Sequence, residues 1–301
     1  MNRALLVGIN AYKTSALRGC VNDCMQMKQL LMEYYGFTEE SFKLVLDAEA
    51  SSANIKAGLE WLAQGGADPS MVRVFHYSGH GSYVADQSGD EPDGQDETLV
   101  PVDYKSAGML TDDTLKTFYD RFPSRSNLTL IMDSCHSGSV NRLVAEDVVF
   151  RFLPVSRAEQ ARIDAARAKF GEDQRSYVRR EIGKLREENL SDEDLDARIE
   201  KLFIRFEKKR FGDIRKRESN ILLAGCKPDQ QSADAFIEGE YHGAFTFYLA
   251  RAITESSGQL TYRQLAERTD KALSQNGYGQ IPQLEYRSKR DRKQAFRPFV
   301  A

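Results

Sequence analysis

Two short apolar runs end on clusters of reactive residues, and this arrangement constrains the fold more than any other feature of the chain. Val72 to Tyr77 (VRVFHY) leads into Ser78-Gly79-His80-Gly81, and Leu128 to Met132 (LTLIM) leads into Asp133-Ser134-Cys135-His136. Short apolar runs bounded by turn residues read as buried strands. Arg3 to Asn10 and Phe42 to Leu46 read as two more. Val21 to Tyr35, stopping at Gly36, and Ser52 to Leu62, closed by Gly65-Gly66, carry helical apolar spacing. Thr111 to Phe122 reads as a helix with Thr111 as N-cap and Asp112 and Asp113 in its first turn. Strands and helices alternating in this way predict the α/β class, with a mostly parallel sheet flanked by helices on both faces. Ligand sites in such sheets lie beyond the carboxyl ends of the strands, where both clusters fall.

Past residue 150 the pattern breaks. Residues 151–217 hold 19 Lys and Arg against 14 Asp and Glu, a net of +5 that leaves −8 on the rest of a chain whose total is −3. Val178, Ile182 and Leu185 form one helical stripe, and Leu195, Ile199, Leu202 and Phe206 another. With Ser191 and Asp194 as a capping box between them, they predict an inserted, charged helical hairpin. The α/β pattern resumes at Asn220–Ala224, with helices over Ala244–Thr254 and Thr261–Ser274. Gln280 to Tyr286 reads as an edge strand, because Pro282 suits an edge better than a centre. The expected division is a large unit over 1–150, the insert over 151–217, and a small unit over 218–301 that completes the same sheet.

Composition narrows the classes further. No apolar run approaches the ~20 residues that cross a bilayer. Met1-Asn2-Arg3 with Ala4 to Ile9 is too short for a secretory signal, and four cysteines in 301 residues fit a reduced, cytoplasmic setting. An acidic body excludes a uniformly basic nucleic-acid binder. Neither membrane nor nucleic acid is an expected partner.

A cysteine nucleophile needs a base and donors for the developing oxyanion. Cys135 leaves its strand in a small-residue turn, and His80 does the same at the other strand end. If the two strands are neighbours, His80 faces Cys135, and the Gly81 N–H joins the Cys135 N–H as an oxyanion hole. His136 is a rival base. His80 is preferred, since consecutive residues leaving a strand point in different directions. A buried thiol and a structural His remain the plain alternative for either residue alone. Asp86, Asp90, Glu91, Asp93, Asp96 and Glu97, then Asp112 and Asp113, form an acidic cluster. It reads either as a hard-cation site or as a solvated loop with helix-capping acids. Cys20 and Cys24 read as structural thiols and Trp61 as core, while His242 reads as a surface-loop histidine, with a groove residue as the alternative.

VFHYSGHG at Val74–Gly81 and LIMDSCHSG at Leu130–Gly138 resemble the His and Cys signatures of metacaspases, in the caspase/legumain clan of cysteine peptidases. Further matches are Gly19 to Asp23, Leu99 to Asp103, Ala224-Gly225-Cys226, Gln231 to Ala235, Gly243 to Thr246 and Pro282-Gln283-Leu284. The resemblance covers nearly everything but the insert. It implies a caspase-like fold, in the type with no N-terminal prodomain and a long helical insert between two catalytic units. It further implies a Cys135–His80 dyad and a primary pocket lined by Asp23, Asp133, Ser78 and Cys20. Such a pocket takes Arg or Lys of a protein or peptide substrate through charge-assisted hydrogen bonds.

The same resemblance implies Ca²⁺ activation through Asp96, Asp112 and Asp113, with no organic cofactor, and a monomer. The family's fourth acid falls near Arg142, a departure from the pattern. Lys208-Lys209-Arg210 and Arg215-Lys216-Arg217 make the insert a candidate substrate of its own enzyme. Self-cleavage is expected between Arg205 and Arg217, and also near Arg142 or Arg151. The alternative is a catalytically idle caspase-like scaffold whose helical insert recruits partners.

Overall fold

Strand pairing in strict register decides where the reactive turns sit. The computed structural model describes residues 1–135, 148–187, 220–286 and 289–298 apart from 67, 69, 90, 92, 124 and 125, together with 191, 194, 197 and 198. The first part of the chain runs β1 (Arg3–Gly8), α1 (Cys20–Tyr35), β2 (Phe42–Leu46), α2 (Ser52–Ala63) and β3 (Val72–Ser78). Then come β4 (Gly81–Ala85), β5 (Gln95–Leu99), α3 (Tyr104–Ala107), β6 (Leu110–Thr111), α4 (Asp112–Tyr119) and β7 (Asn127–Asp133). Next are β8 (Val149–Phe150) and α5 (Arg157–Glu187), followed by β9 (Asn220–Ala224), β10 (Ala233–Ile237) and β11 (Glu240–Gly243). The chain finishes with α6 (Ala244–Glu255), α7 (Tyr262–Gln275) and β12 (Gln283–Tyr286).

Six strands form the central sheet in the order β12-β9-β7-β3-β1-β2, parallel except for β12, the antiparallel edge. Side chains alternate across it as the strand period of two requires. Leu5, Val7, Phe75, Tyr77, Leu128 and Leu130 pack on one face with Ile55, Leu59 and Leu62 of α2 and Leu115 of α4. Ala4, Leu6, Val72, Val74 and Ile131 pack on the other with Met27 and Leu31 of α1, Phe245 and Leu249 of α6, and Leu265 of α7. Local signals mark the helix ends. Gly36 closes α1 in the left-handed region at φ 70°, and its N–H donates to the Leu31 carbonyl. The Thr111 hydroxyl accepts from the Thr114 N–H, which confirms that N-cap.

Two small antiparallel sheets, β4-β5-β6 and β11-β10-β8, were not legible in the sequence. Their strands are short and mix polar with apolar residues, so no periodic signal stands out. The first arm of the expected helical insert is present. One 31-residue helix, α5, follows β8, and most of the expected second arm lies outside the described residues. The Ser191 hydroxyl does accept from the Asp194 N–H at 3.2 Å, so the helix restart is where the capping box puts it. The α5 helix is docked against the body. Ile163 is buried, Glu159 accepts the Ala85 N–H at 2.9 Å, and Arg167 donates to the Asp93 carbonyl at 2.9 Å. No helix among the described residues is long and apolar enough to cross a membrane.

Candidate active site

Adjacent parallel strands carry the two reactive turns. In the β3–β7 pair Ser78 lies opposite Asp133, so Gly79-His80-Gly81 and Ser134-Cys135 emerge side by side at the carboxyl ends. Cys135, His80, Asp23, Asp133, Ser78 and Cys20 have no exposed surface. A segment of the same chain, residues 149–153, packs into this site.

Arg151 lies in the site as a complete residue. Its carbonyl oxygen accepts from the Gly81 N–H at 2.9 Å and the Cys135 N–H at 3.1 Å. Its own N–H donates to the Ser232 carbonyl at 3.0 Å. The two residues before it, Val149 and Phe150, pair antiparallel with Asp234 and Ala233 of β10. Its guanidinium enters a pocket of three carboxylates. Nη2 reaches Asp23 Oδ2 and Asp234 Oδ1, both at 2.8 Å, and Nη1 reaches Asp133 Oδ2 at 3.1 Å. Nη1 also donates to the Ser78 hydroxyl at 2.7 Å. The residue placed at the start of the helical insert therefore belongs to the site. A buried cation is stable only among compensating charges, and the three acids outweigh the cost of its desolvation.

Backbone and side-chain donors hold each acid in turn. Asp23 accepts from the Ser78 hydroxyl at 2.7 Å and the Gly243 N–H at 3.0 Å. Asp133 accepts from the hydroxyls of Ser232 at 2.5 Å and Thr246 at 2.7 Å. Asp234 accepts from the N–H groups of Arg18 at 2.8 Å and Gly19 at 3.0 Å. Burial works against ionisation of Asp23, yet Arg151, His242 and Ser78 together hold it below the usual carboxylate range. For Asp133 burial prevails and raises the carboxyl, with Arg151, Ser232 and Thr246 pulling the other way. Gly243 is required by space here: a Cβ would collide with the Asp133 carboxylate and the Arg151 guanidinium.

His80 is held by its surroundings. Nε2 lies 2.6 Å from the Ser15 carbonyl, the ring centroid is 4.6 Å from that of Tyr12, and the Tyr12 hydroxyl accepts the His80 backbone N–H at 3.0 Å. Nδ1 is buried with no hydrogen-bond partner among the described residues. Burial lowers its proton affinity, and the Ser15 and Arg151 backbones oppose that. The Cys135 Sγ accepts the Ser232 N–H at 2.5 Å. Burial, with the neighbouring Cys226 thiol, raises the Cys135 thiol well above its ordinary value. Both shifts favour the uncharged pair, a protonated thiol beside a neutral imidazole.

Several expectations change. His242, expected on the surface, is buried, with Nδ1 3.3 Å from Asp23 Oδ1. It lines the pocket because the antiparallel β10–β11 pair folds it back over α1. Asp234, Ser232, Thr246 and Ser15 had no assigned role. The QSADA and GAFT segments pointed towards three of them, but nothing local in the sequence distinguishes Asp234 from a surface acid. Cys20 is buried beside the pocket, where burial raises its thiol. Trp61 is half-buried at the core edge, under the Arg3 guanidinium. His136, Arg142 and residues 205–217 lie outside the described residues.

The acidic cluster is divided. Asp86 accepts from the Ser88 hydroxyl and from the Gly89 and Glu91 N–H groups, so it closes a turn. Pairing of Thr98 with Thr111 brings buried Asp96 and Asp112, with half-buried Asp113, to one end of the β4-β5-β6 sheet. Carboxylate oxygens suit a hard cation. Among the described residues, however, no three His, Cys, Asp or Glu side chains are gathered as a metal cage.

Comparison with known proteins agrees with this architecture. Residues 2–144 match the family model "Metacaspase, peptidase C14 domain". Metacaspase-1 of Schizosaccharomyces pombe is 32% identical over 298 residues, covering 94% of this chain and 66% of the relative. Metacaspase-1 of Pyricularia oryzae is 32% identical over 300 residues, covering 94% and 70%. Among solved structures, a protein from Geobacter sulfurreducens superposes with a TM-score of 0.66 at 22% identity, covering 99% of both chains. Caspase-1 from Spodoptera frugiperda does so at 0.52 and 9%, covering 95% of this chain and 87% of its own. The fold is caspase-like, with a long helical element inserted between core strands. With two neighbouring strand ends carrying its His and Cys signatures, and relatives matched along almost its whole length, the chain belongs to the metacaspase family of C14 cysteine peptidases.

Proposed function

We propose that the chain is a cysteine endopeptidase that cuts after Arg or Lys, and that its own Arg151–Phe152 bond is its first substrate. The observation that carries this reading is the placement of Arg151. A purely structural arginine would need its guanidinium in the acidic pocket, but not its carbonyl on two N–H donors at the same time. Donors about 2.7–3.1 Å from the reacting oxygen are what an acyl transfer requires, and Gly81 and Cys135 lie at 2.9 and 3.1 Å.

In the reaction the neutral His80 imidazole takes the Cys135 proton as Sγ attacks the Arg carbonyl carbon. The oxygen gains negative charge against the Gly81 and Cys135 N–H groups. As the C–N bond breaks, His80 gives its proton to the departing amine, leaving a thioester on Cys135. Water, deprotonated by His80, then attacks the thioester and releases the new carboxylate. Asp23, Asp133 and Asp234 hold the substrate cation throughout. Arg is favoured over Lys because its planar fork reaches all three acids at once.

Before cleavage, residues 149–153 exclude other substrates, so the same contact is both inhibitor and substrate. Ca²⁺ is the proposed activator, held by Asp96, Asp112 and Asp113 and taking no part in the chemical steps. Mass spectrometry of the purified chain, with and without Ca²⁺, tests the reading. A break after Arg151 that is absent in Cys135→Ala supports it. Breaks confined to 205–217, or peptides ending in Asp cleaved better than those ending in Arg, would overturn it.

A further inference from the structure

The chain beyond Arg151 is bound as closely as the chain before it. Phe152 bridges Gly81 of β4 in parallel. The Leu153 N–H donates to the Gly81 carbonyl at 2.9 Å, and the Ser82 hydroxyl donates to the Leu153 carbonyl at 2.7 Å. The Phe152 ring lies against Tyr83, with centroids 5.7 Å apart and planes tilted by 33°. Leu153 is buried and joins the core on that face of the sheet. The backbone, hydroxyl and ring contacts are all with β4, and none involves the pocket acids.

We propose that Ser82 and Tyr83 form a subsite for the two residues after the cut, with the Tyr83 ring selecting an aromatic first and the end of the core selecting a branched aliphatic second. The inference rests on the peptidase reading, and it narrows the substrate class to exposed segments of the form Arg-aromatic-aliphatic. The two backbone bonds and the Ser82 bond hold any sequence in register along β4. Selection therefore comes from the side chains: the tilted ring pair adds attraction beyond simple burial, and Leu153 adds apolar burial. An acidic residue at the first position would face the Tyr83 ring, whose face is negative.

Internally quenched peptides spanning residues 148–155 test the subsite with the full chain. One peptide keeps the native order, and others carry the changes corresponding to Phe152→Gly and Phe152→Asp. The built-in segment competes equally with each peptide, so the ratio of kcat/KM values is the readout. The Phe peptide is expected to exceed the Gly peptide by about fivefold to tenfold. That ratio should fall below about twofold in Tyr83→Ala and persist in Tyr83→Phe. Tyr83 is half-exposed, so its truncation spares the core. Equal cleavage of all peptides by the unaltered chain overturns the subsite alone, as does a preference that survives Tyr83→Ala. Failure to cleave any Arg peptide, together with absence of self-cleavage, overturns the peptidase reading itself.

Discussion

Replacing Arg151 by Ala in a Cys135→Ala chain isolates the energetics of the plugged pocket from turnover. The guanidinium is within 2.8 Å of Asp23, 3.1 Å of Asp133 and 2.8 Å of Asp234, all fully or almost fully buried. Removing one partner of a buried ion pair costs about 3–5 kcal/mol, because the remaining charge is left uncompensated. Here three carboxylates lose one cation, which points to the upper part of that range, while water entering the vacated space offsets a fraction. At about 2–4 °C per kcal/mol for a chain of this size, Tm should fall by roughly 6–20 °C at pH 7.

Differential scanning fluorimetry with added ligands then separates a pocket from a structural ion cluster. Arginine amide at about 100 times its Kd should return about 2.7 kcal/mol of stability to the Arg151→Ala chain, whereas norleucine amide should return none. The pH response has a definite sign. Asp133 is already raised by burial and loses its cation, so its ionised form disfavours the folded state above its folded pKa. The deficit should therefore shrink as pH falls from 7 towards the ordinary aspartate value of about 4. Arg151→Lys, which keeps the charge but loses the fork, should lie between the two. A Tm within 1 °C of the parent, or equal rescue by the two amides, would refute the reasoning.

Other consequences can be measured on the same chain. Asp234→Asn removes a carboxylate 2.8 Å from the guanidinium and should lower kcat/KM on Arg peptides by about 30-fold or more, since such truncations cost about 2–5 kcal/mol. Gly243→Ala should reduce Arg cleavage at least as strongly, because its methyl occupies space shared by Asp133 and Arg151; circular dichroism should report an intact fold. Burial depresses the His76 imidazole from 6.5 to about 4, so the stability it contributes is complete above pH 6.5 and lost as pH falls towards 4. That loss is about 3 kcal/mol, and urea midpoints across this window should flatten in His76→Leu. Asp112→Asn should abolish any acceleration of self-cleavage by Ca²⁺ without changing the rate in chelator. Acceleration equal to that of the parent would remove Asp112 from the proposed activation.

Much of this arrangement is written locally. The strands Phe42–Leu46 and Asn220–Ala224 coincide with their apolar runs, and the Thr111 cap and the Gly36 stop mark helix ends through contacts within a few residues. Period-two burial on both faces follows from continuous apolar strands, so the parallel sheet was legible too. The turns bearing His80 and Cys135 were readable because each follows directly on such a strand. The small sheets were not, since β8 and β6 are two residues long and exist only through their partners.

Sequence by itself therefore determined the fold class and singled out the turns bearing His80 and Cys135, with Asp23 and Asp133 as candidate pocket acids. Tertiary structure alone decided the pocket. Asp23, Asp133 and Asp234 are more than 100 residues apart from one another along the chain, and only the crossing of α1, β7 and β10 makes them one charge cluster. Sequence names Arg151 only as one of several basic positions where self-cleavage is expected, and no local pattern marks it as the pocket's cation among the chain's 42 basic residues. Its role arises because burying three carboxylates together demands a cation, and β8 pairing with β10 delivers this one, carbonyl and side chain at once, to the two turns.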